Sequence, residues 1–361
     1  MRHWQNLPAS ALEGDLAASW DALNTERSDL PFLSAYVITA ALRMFGSGQE
    51  RLLVGSDAQG PAAMLILGRK RFFEWQTFQP SQIPLGAWVA RKDLRLIEIA
   101  RSVQRSLPGF CLVLSITQVD PRLAPRDADT SDSLTTDYID TAWVEIEGHF
   151  ADYWNSRGKN LRKTMKRQRA KLADQGVVAV VKCLTKSVEM ADAVVCYGDL
   201  ESRGWKAQQG TAVHHQNSQG VFYTEILENA CLRNEGLVYQ YFFGDHVVAM
   251  NLCLVRGVTL IVLKTTYDET ITSFSPAFLL RQETLELLFN EGCIKRMELF
   301  GKVMEWHARW TDKRRTIYHL TVFRWGGLKT LRSGLKILRS GLQRAWRGVQ
   351  KFPSGVKVIH D

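Results

Sequence analysis

The groups best suited to chemistry lie late in the chain and form no nucleophile–base triad. Ser275-Pro276-Ala277-Phe278 opens an apolar helical run with proline at its first position. Such a start presents free N–H groups and the positive end of the helix dipole, a seat for a phosphate or diphosphate. Lys264 and Thr265, at the end of the β-branched run before it, are placed to bind the rest of an extended ligand. His307, of the residue type that ordinarily titrates near neutrality, is the candidate for moving a proton, with Glu305, Asp268 and Lys264 as further acid–base or substrate-orienting groups. Trp306 and Trp310 flank that histidine. Trp205-Lys206 precedes a loop of Gln208, Gln209, Gly210, Thr211, His214, His215, Gln216 and Asn217, amides and small residues that suit a sugar held against an aromatic face. The set can seat an anionic donor, orient a polar acceptor and remove a proton, which is group transfer by positioning. No metal is expected. His214 and His215 are adjacent and point apart, and the six cysteines make no CxxC or Cys/His cluster.

Periodicity sets the elements that must position these groups. The first half reads as a helix over 34–45, strands over 51–54, 62–67 and 72–78, a helix over 93–106 and a strand over 110–116. Residues 120–137, rich in Pro, Asp, Ser and Thr, predict a loop, and 143–146 a last short strand. The second half opens with a basic helix over 153–174, stopped at Gly176. A strand over 177–181, helical spacing over 190–200 and a helix over 219–234 follow. Strands then run over 238–243, 247–255 and 260–266, turned at Gly244-Asp245 and Gly257. The helix from Pro276 comes next, then strands over 297–300 and 316–323. Three consecutive antiparallel strands, a helix and a further strand exclude the strand–helix alternation of a Rossmann sheet. They are the order of a GNAT acyltransferase core, in which thioester acyl transfer needs orientation, an oxyanion donor and a proton path.

A chain of 361 residues predicts two domains, and the net charge of +9 favours anionic partners. The charge is concentrated at 157–171 and 329–351. No binding motif with interleaved aromatics accompanies it, which argues against nucleic acid. In the tail, Leu331-Arg-Ser-Gly-Leu335 recurs as Leu338-Arg-Ser-Gly-Leu342. Leu328, Leu331, Leu335, Leu338, Leu342 and Trp346 form an apolar stripe between basic residues, the pattern of an amphipathic helix on an anionic membrane surface; docking on the domain or dimerisation would give the same stripe. No run reaches the roughly 18 apolar residues of a membrane span, and the start lacks the apolar core of a signal peptide. The expected location is cytoplasmic, with a peripheral position on the inner membrane face.

Three segments carry a family resemblance. Arg203-Gly204-Trp205-Lys206 with Gly210-Thr211-Ala212-Val213, then Leu263-Lys264-Thr265-Thr266-Tyr267-Asp268, then Phe274-Ser275-Pro276-Ala277-Phe278-Leu279-Leu280, resemble the CelD/BcsL group. These are GNAT-superfamily acetyltransferases of cellulose and exopolysaccharide biosynthesis, related to FemAB-like transferases. The basic helix and Gln79-Pro80-Ser81-Gln82-Ile83-Pro84-Leu85-Gly86 resemble it too. The chain departs at Ala277, where the group has glycine, and at Trp306-His307, where it has Tyr-Lys. The resemblance implies an α/β (α+β) chain of tandem GNAT-like, FemAB-like halves, each a mixed, mostly antiparallel sheet flanked by helices. Residues 1–148 would be a degenerate half, 149–326 the catalytic half and 327–361 a basic amphipathic tail. It also implies acetyl-CoA or another acyl-CoA as co-substrate and a sugar, glycan precursor or similar small polar acceptor. Two alternatives stand beside it, an aminoacyl-tRNA-dependent transferase and a non-catalytic scaffold at the membrane.

Overall fold

The computed structural model describes residues 3–108, 110–203, 213–214 and 216–331. Trp205, Lys206 and His215, most of the polar loop and the tail beyond Leu331 lie outside the described residues. The first half runs β1 (His3–Pro8), α1 (Gly14–Arg27), α2 (Ala35–Phe45), β2 (Arg51–Asp57), β3 (Gly60–Arg71), β4 (Glu74–Thr77), β5 (Trp88–Ala90), α3 (Leu96–Ser106), β6 (Val113–Val119) and β7 (Ser133–Glu145). The second runs α4 (Phe150–Ser156), α5 (Lys159–Asp174), β8 (Ala179–Leu184), α6 (Met190–Ser202), α7 (Ser218–Cys231), β9 (Gly236–Phe243), β10 (His246–Arg256), β11 (Thr259–Tyr267), α8 (Pro276–Glu291), β12 (Arg296–Leu299) and β13 (Arg314–Phe323).

Among the described residues these strands make one open, mixed sheet in the order β1-β2-β3-β4-β6-β13-β7-β12-β11-β10-β9-β8, with β5 on β3. The order is a near-palindrome. In the first half, antiparallel β2-β3-β4 is followed by α3 and by β6, parallel to β4. In the second, antiparallel β9-β10-β11 is followed by α8 and by β12, parallel to β11. Each half then gives its last strand to the other, β7 pairing with β12 and β13 with β6. The two exchanged strands pair with each other at the centre. The architecture is that of tandem GNAT-like halves.

Apolar burial follows this symmetry. One face carries α1, α2, α6 and α7 in a shared core that includes Trp20, Ile38, Tyr197 and Phe222. On the other face α3 covers the first half, and α4, α5 and α8 cover the second. Two segments differ from the periodic reading. The basic helix is two helices, because Arg157 is extended (φ −75°, ψ 156°) ahead of Gly158. Residues 133–137, which read as loop, are the polar start of β7, on a sheet face that no helix among the described residues covers there.

Where the exchanged strands meet, charge is buried. Arg315 on β13 donates to both oxygens of Asp120 at 2.6–2.9 Å and to Glu298 on β12 at 2.9 Å. Arg122 reaches the other Glu298 oxygen at 2.7 Å, and the Arg315 guanidinium lies 5.2 Å from the centre of the Trp143 ring.

Candidate active site

The two parallel junctions are where a sheet of this kind opens. β11 pairs with β12 only through Thr259–Ile261, and then runs on to Tyr267 beside β10 alone. The strands therefore part. Opposite the gap the β10–β11 register shifts, so that Leu263 is an extra residue on β11. The bulge resets the alternation of the strand. Lys264 turns to the α6–α7 side, 3.4 Å from the Gln219 amide oxygen and 4.0 Å from Glu201. Thr265 turns to the α8 side and lines a cavity of about 370 Å³.

That cavity is walled by Thr265, Tyr267, Thr272, Ser275, Pro276, Ala277, Phe278, Arg281, Trp306 and Trp310, and it combines aromatic rings with the start of α8. Ser275 takes a left-handed conformation (φ 52°, ψ 53°), outside the right-handed helical region that the following proline disfavours. Its carbonyl accepts the Phe278 and Leu279 N–H groups, and the Ala277 N–H donates to no backbone carbonyl among the described residues. Ala277 is itself helical, so the positive φ falls on Ser275 and the missing glycine freedom costs nothing at 277. Trp310 is fixed from behind. Its carbonyl accepts from the Tyr153 hydroxyl and from Arg157, both at 2.8 Å, and its ring lies 5.7 Å from Phe278.

Arg281 sits one helical turn beyond Ala277 on the same side of α8. It is 3% exposed, yet its contacts are the Met297 sulfur at 3.2 Å and the Trp306 ring at 5.7 Å. No carboxylate among the described residues pairs with it. Burial pushes its pKa down to about 10, against small opposing effects of Cys253 and Tyr153. A guanidinium held dry without a counter-charge is costly unless an anion arrives. Periodicity alone does not reveal it; the available signal is a single cation directly after the apolar run Phe278-Leu279-Leu280, four residues after Ala277.

The other sequence candidates are dispersed. Trp306 lies over His307, ring centroids 3.5 Å apart, and His307 is buried behind it, outside the cavity lining. The His307 Nδ1 accepts the Met304 N–H at 2.9 Å, so the neutral ring carries its proton on Nε2. Burial, helped by Arg281, lowers its pKa to about 4. The unfolded chain takes up that proton near pH 6.5 and the folded one does not. Stability is therefore full above about pH 6.5 and is lost as pH falls toward 4, by about 1.4 kcal/mol per pH unit for this group. In urea melts across that range, His307→Gln should lose about 3 kcal/mol less than the wild type. Parallel curves would contradict the neutral, buried ring. Glu305 is exposed. Asp268 accepts from the Thr270 N–H and hydroxyl and faces Arg203 at 3.9 Å, in a separate cleft with Asp192, Asp199 and Asp245.

The corresponding gap in the first half is closed. β4 and β6 part after Gln76–Ser115, and the 78–87 segment fills the space. Thr77 and Thr117 hydroxyls meet at 2.7 Å, Gln118 donates to Gln79 at 2.6 Å, and Ile83 and Leu85 are buried. Gly86 makes this fit. A Cβ there would lie 2.5 Å from the Thr117 carbonyl oxygen and 2.6 Å from the Thr77 hydroxyl. Gly86→Ala should destabilise by about 1–3 kcal/mol, read as a lower urea midpoint at unchanged slope. An unchanged midpoint would mean the plug is loose.

Residues 159–314 match the model of the acetyltransferase (GNAT) domain, a span from α5 to the start of β13. The second half is thus an acyltransferase domain, and the chain an acyltransferase. No curated protein sequence matches the chain. Among solved structures it is similar to the C-terminal domain of a putative lysylphosphatidylglycerol synthetase from Agrobacterium fabrum, at 13% identity and TM-score 0.53, covering 89% of this chain and 95% of that one. It is also similar to FemX, at 8% identity and TM-score 0.52, with 87% and 98% covered. L-PGS from Bacillus licheniformis follows at 12% identity and TM-score 0.50, with 85% and 91% covered. These are likenesses of fold.

Proposed function

We propose that the chain is an acyl-CoA-dependent N- or O-acyltransferase, with acetyl-CoA as the first donor to test. Its acceptor would be a sugar, glycan precursor or similar small polar molecule, in exopolysaccharide or cell-envelope synthesis, as the CelD/BcsL resemblance implies. The observation that supports this is the pairing of the Ala277 N–H with the uncompensated Arg281 at one cavity beside parted strands. Residues and ligand fit chemically. A diphosphate supplies the counter-charge Arg281 lacks, the edge of β11 at Thr265 borders the gap an extended thioester arm would follow, and the aromatic walls exclude water from the carbonyl. The acceptor amine or hydroxyl attacks that carbonyl, the thiolate leaves, and the acceptor's proton passes to solvent or to the thiolate. α5 adds a positive rim to this side of the molecule, with Lys171 over Phe274 and Arg169 bonded to Glu283 of α8.

The fold likeness to FemX and to the domain of a putative lysylphosphatidylglycerol synthetase supports a second reading, an aminoacyl-tRNA donor, which the same basic rim suits. Calorimetric titration with acetyl-CoA, longer acyl-CoAs and aminoacyl-tRNA separates the two. Saturable binding of an acyl-CoA, with turnover in a tRNA-free system, is the expected result. Binding of aminoacyl-tRNA alone would favour the second reading, and binding of neither would count against both.

A further inference from the structure

One edge of the first half carries an exposed aromatic cluster that the acyl-transfer site does not use. Phe72 and Phe73 form the β3–β4 turn and are 74% and 41% exposed, with their rings 4.8 Å apart. Phe110, ahead of β6, and Trp325, after β13, are each 53% exposed, with rings 5.6 Å apart. Backbone bonds make these neighbours. The Phe73 carbonyl accepts the Leu112 N–H at 2.9 Å, and the Leu112 carbonyl accepts the Arg324 N–H at 2.8 Å. Four large rings therefore project from three adjacent strand ends, an arrangement unlike the scattered single apolar residues of an ordinary surface.

Cations surround them. Arg69 lies over the Phe72 ring at 5.9 Å and Arg324 over Phe110 at 5.4 Å. Lys70 and Arg71 precede the two phenylalanines, and Glu74 is the one acid in the stretch 69–74. Beside the cluster opens a polar cleft of about 300 Å³, lined among others by Lys70, Gln76, Ser115, His319, Thr321 and Lys329, with no carboxylate in its walls. The chain beyond Trp325 continues as the basic, leucine-striped sequence up to 351. Aromatic rings ringed by Arg and Lys, beside an acid-free polar cleft, are the chemistry of an anionic phospholipid interface.

We propose that this edge docks the protein on an anionic lipid bilayer. Phe72, Phe73, Phe110 and Trp325 enter the interfacial layer, while Arg69, Lys70, Arg71 and Arg324 meet lipid phosphates. The proposed contact is peripheral; no helix among the described residues is long and apolar enough to cross a membrane. It is independent of which donor the second half takes.

Co-sedimentation of the full chain with vesicles tests it, using equimolar phosphatidylglycerol and phosphatidylcholine against phosphatidylcholine alone. The wild type should bind the anionic vesicles and lose them as salt rises. A Phe72→Ser/Phe73→Ser/Phe110→Ser variant, with unchanged melting temperature and gel-filtration volume, should partition at least about tenfold less. Arg69→Gln/Lys70→Gln/Arg71→Gln should lose the salt-sensitive part of binding. Unaltered binding of the triple serine variant would overturn the proposal and give the role to the tail. Failure of the wild type to bind, or conversion of a dimer to a monomer by the serine substitutions, would overturn it too, the latter identifying a second copy as the occupant.

Discussion

Arg281→Met is expected to raise the stability of the free protein and, in the same variant, to weaken acyl-CoA binding by about 10- to 100-fold. The two effects share one cause. The fall of the guanidinium pKa to about 10 corresponds to about 3 kcal/mol lost by the charged form on burial. Methionine has a similar length, leaves the Met297 and Trp306 packing largely in place and removes that penalty, a gain of about 1–3 kcal/mol after the lost cation–π contact. A charge-assisted bond from Arg281 to a phosphate would contribute about 1.5–3 kcal/mol, which sets the expected loss of affinity. Arg281→Lys keeps the charge without the fork and should fall between. Urea melts and calorimetry on the same preparations read both arms. A variant that is less stable yet binds normally would show that Arg281 serves packing alone.

Arg315→Met should have the opposite sign and the largest stability effect, a loss of about 3–5 kcal/mol. Arg315, Asp120 and Glu298 are each under a tenth exposed, and the arginine bonds both acids at once. Its removal leaves two buried carboxylates, of which Glu298 keeps Arg122 and Asp120 loses its side-chain cation. Burial already pushes the Glu298 pKa up despite Arg315, so desolvation dominates at this point of the sheet. Because β12 and β13 are the second half's contribution to the centre, the loss loosens the exchange of strands between halves. Adding Asp120→Asn to Arg315→Met should restore part of the stability by neutralising the orphaned acid. Equal melts for wild type and Arg315→Met would mean the network is neutral. A double variant weaker than the single would mean that Asp120 has other essential contacts.

Local physics made much of this legible. The α2, α7 and α8 helices and the β9–β10–β11 meander lie within a few residues of the ranges their apolar patterns and turn residues predict. The Pro276 start, Thr265, Trp306 and Trp310 do meet at one cavity. What stayed hidden was set by tertiary geometry. A bulge at Leu263, invisible in a β-branched run, turns Lys264 away from the cavity that Thr265 lines. His307 is packed beneath Trp306 because the segment after β12 folds back in a short turn. Arg281 follows a run that reads as ordinary core, and what marks it is its burial with no carboxylate paired to it among the described residues. The 133–137 segment looked like loop because its strand is polar on the uncovered sheet face. The exchange of β7 and β13 depends on pairings between distant segments, which periodicity cannot carry.

The most direct test of the central claim is the electron density of crystals grown with coenzyme A. The account expects the diphosphate between the Ala277 N–H and the Arg281 guanidinium, with the pantetheine arm running into the gap between β11 and β12. Density for the diphosphate anywhere else, or a saturated crystal in which Arg281 meets no phosphate oxygen, would contradict it.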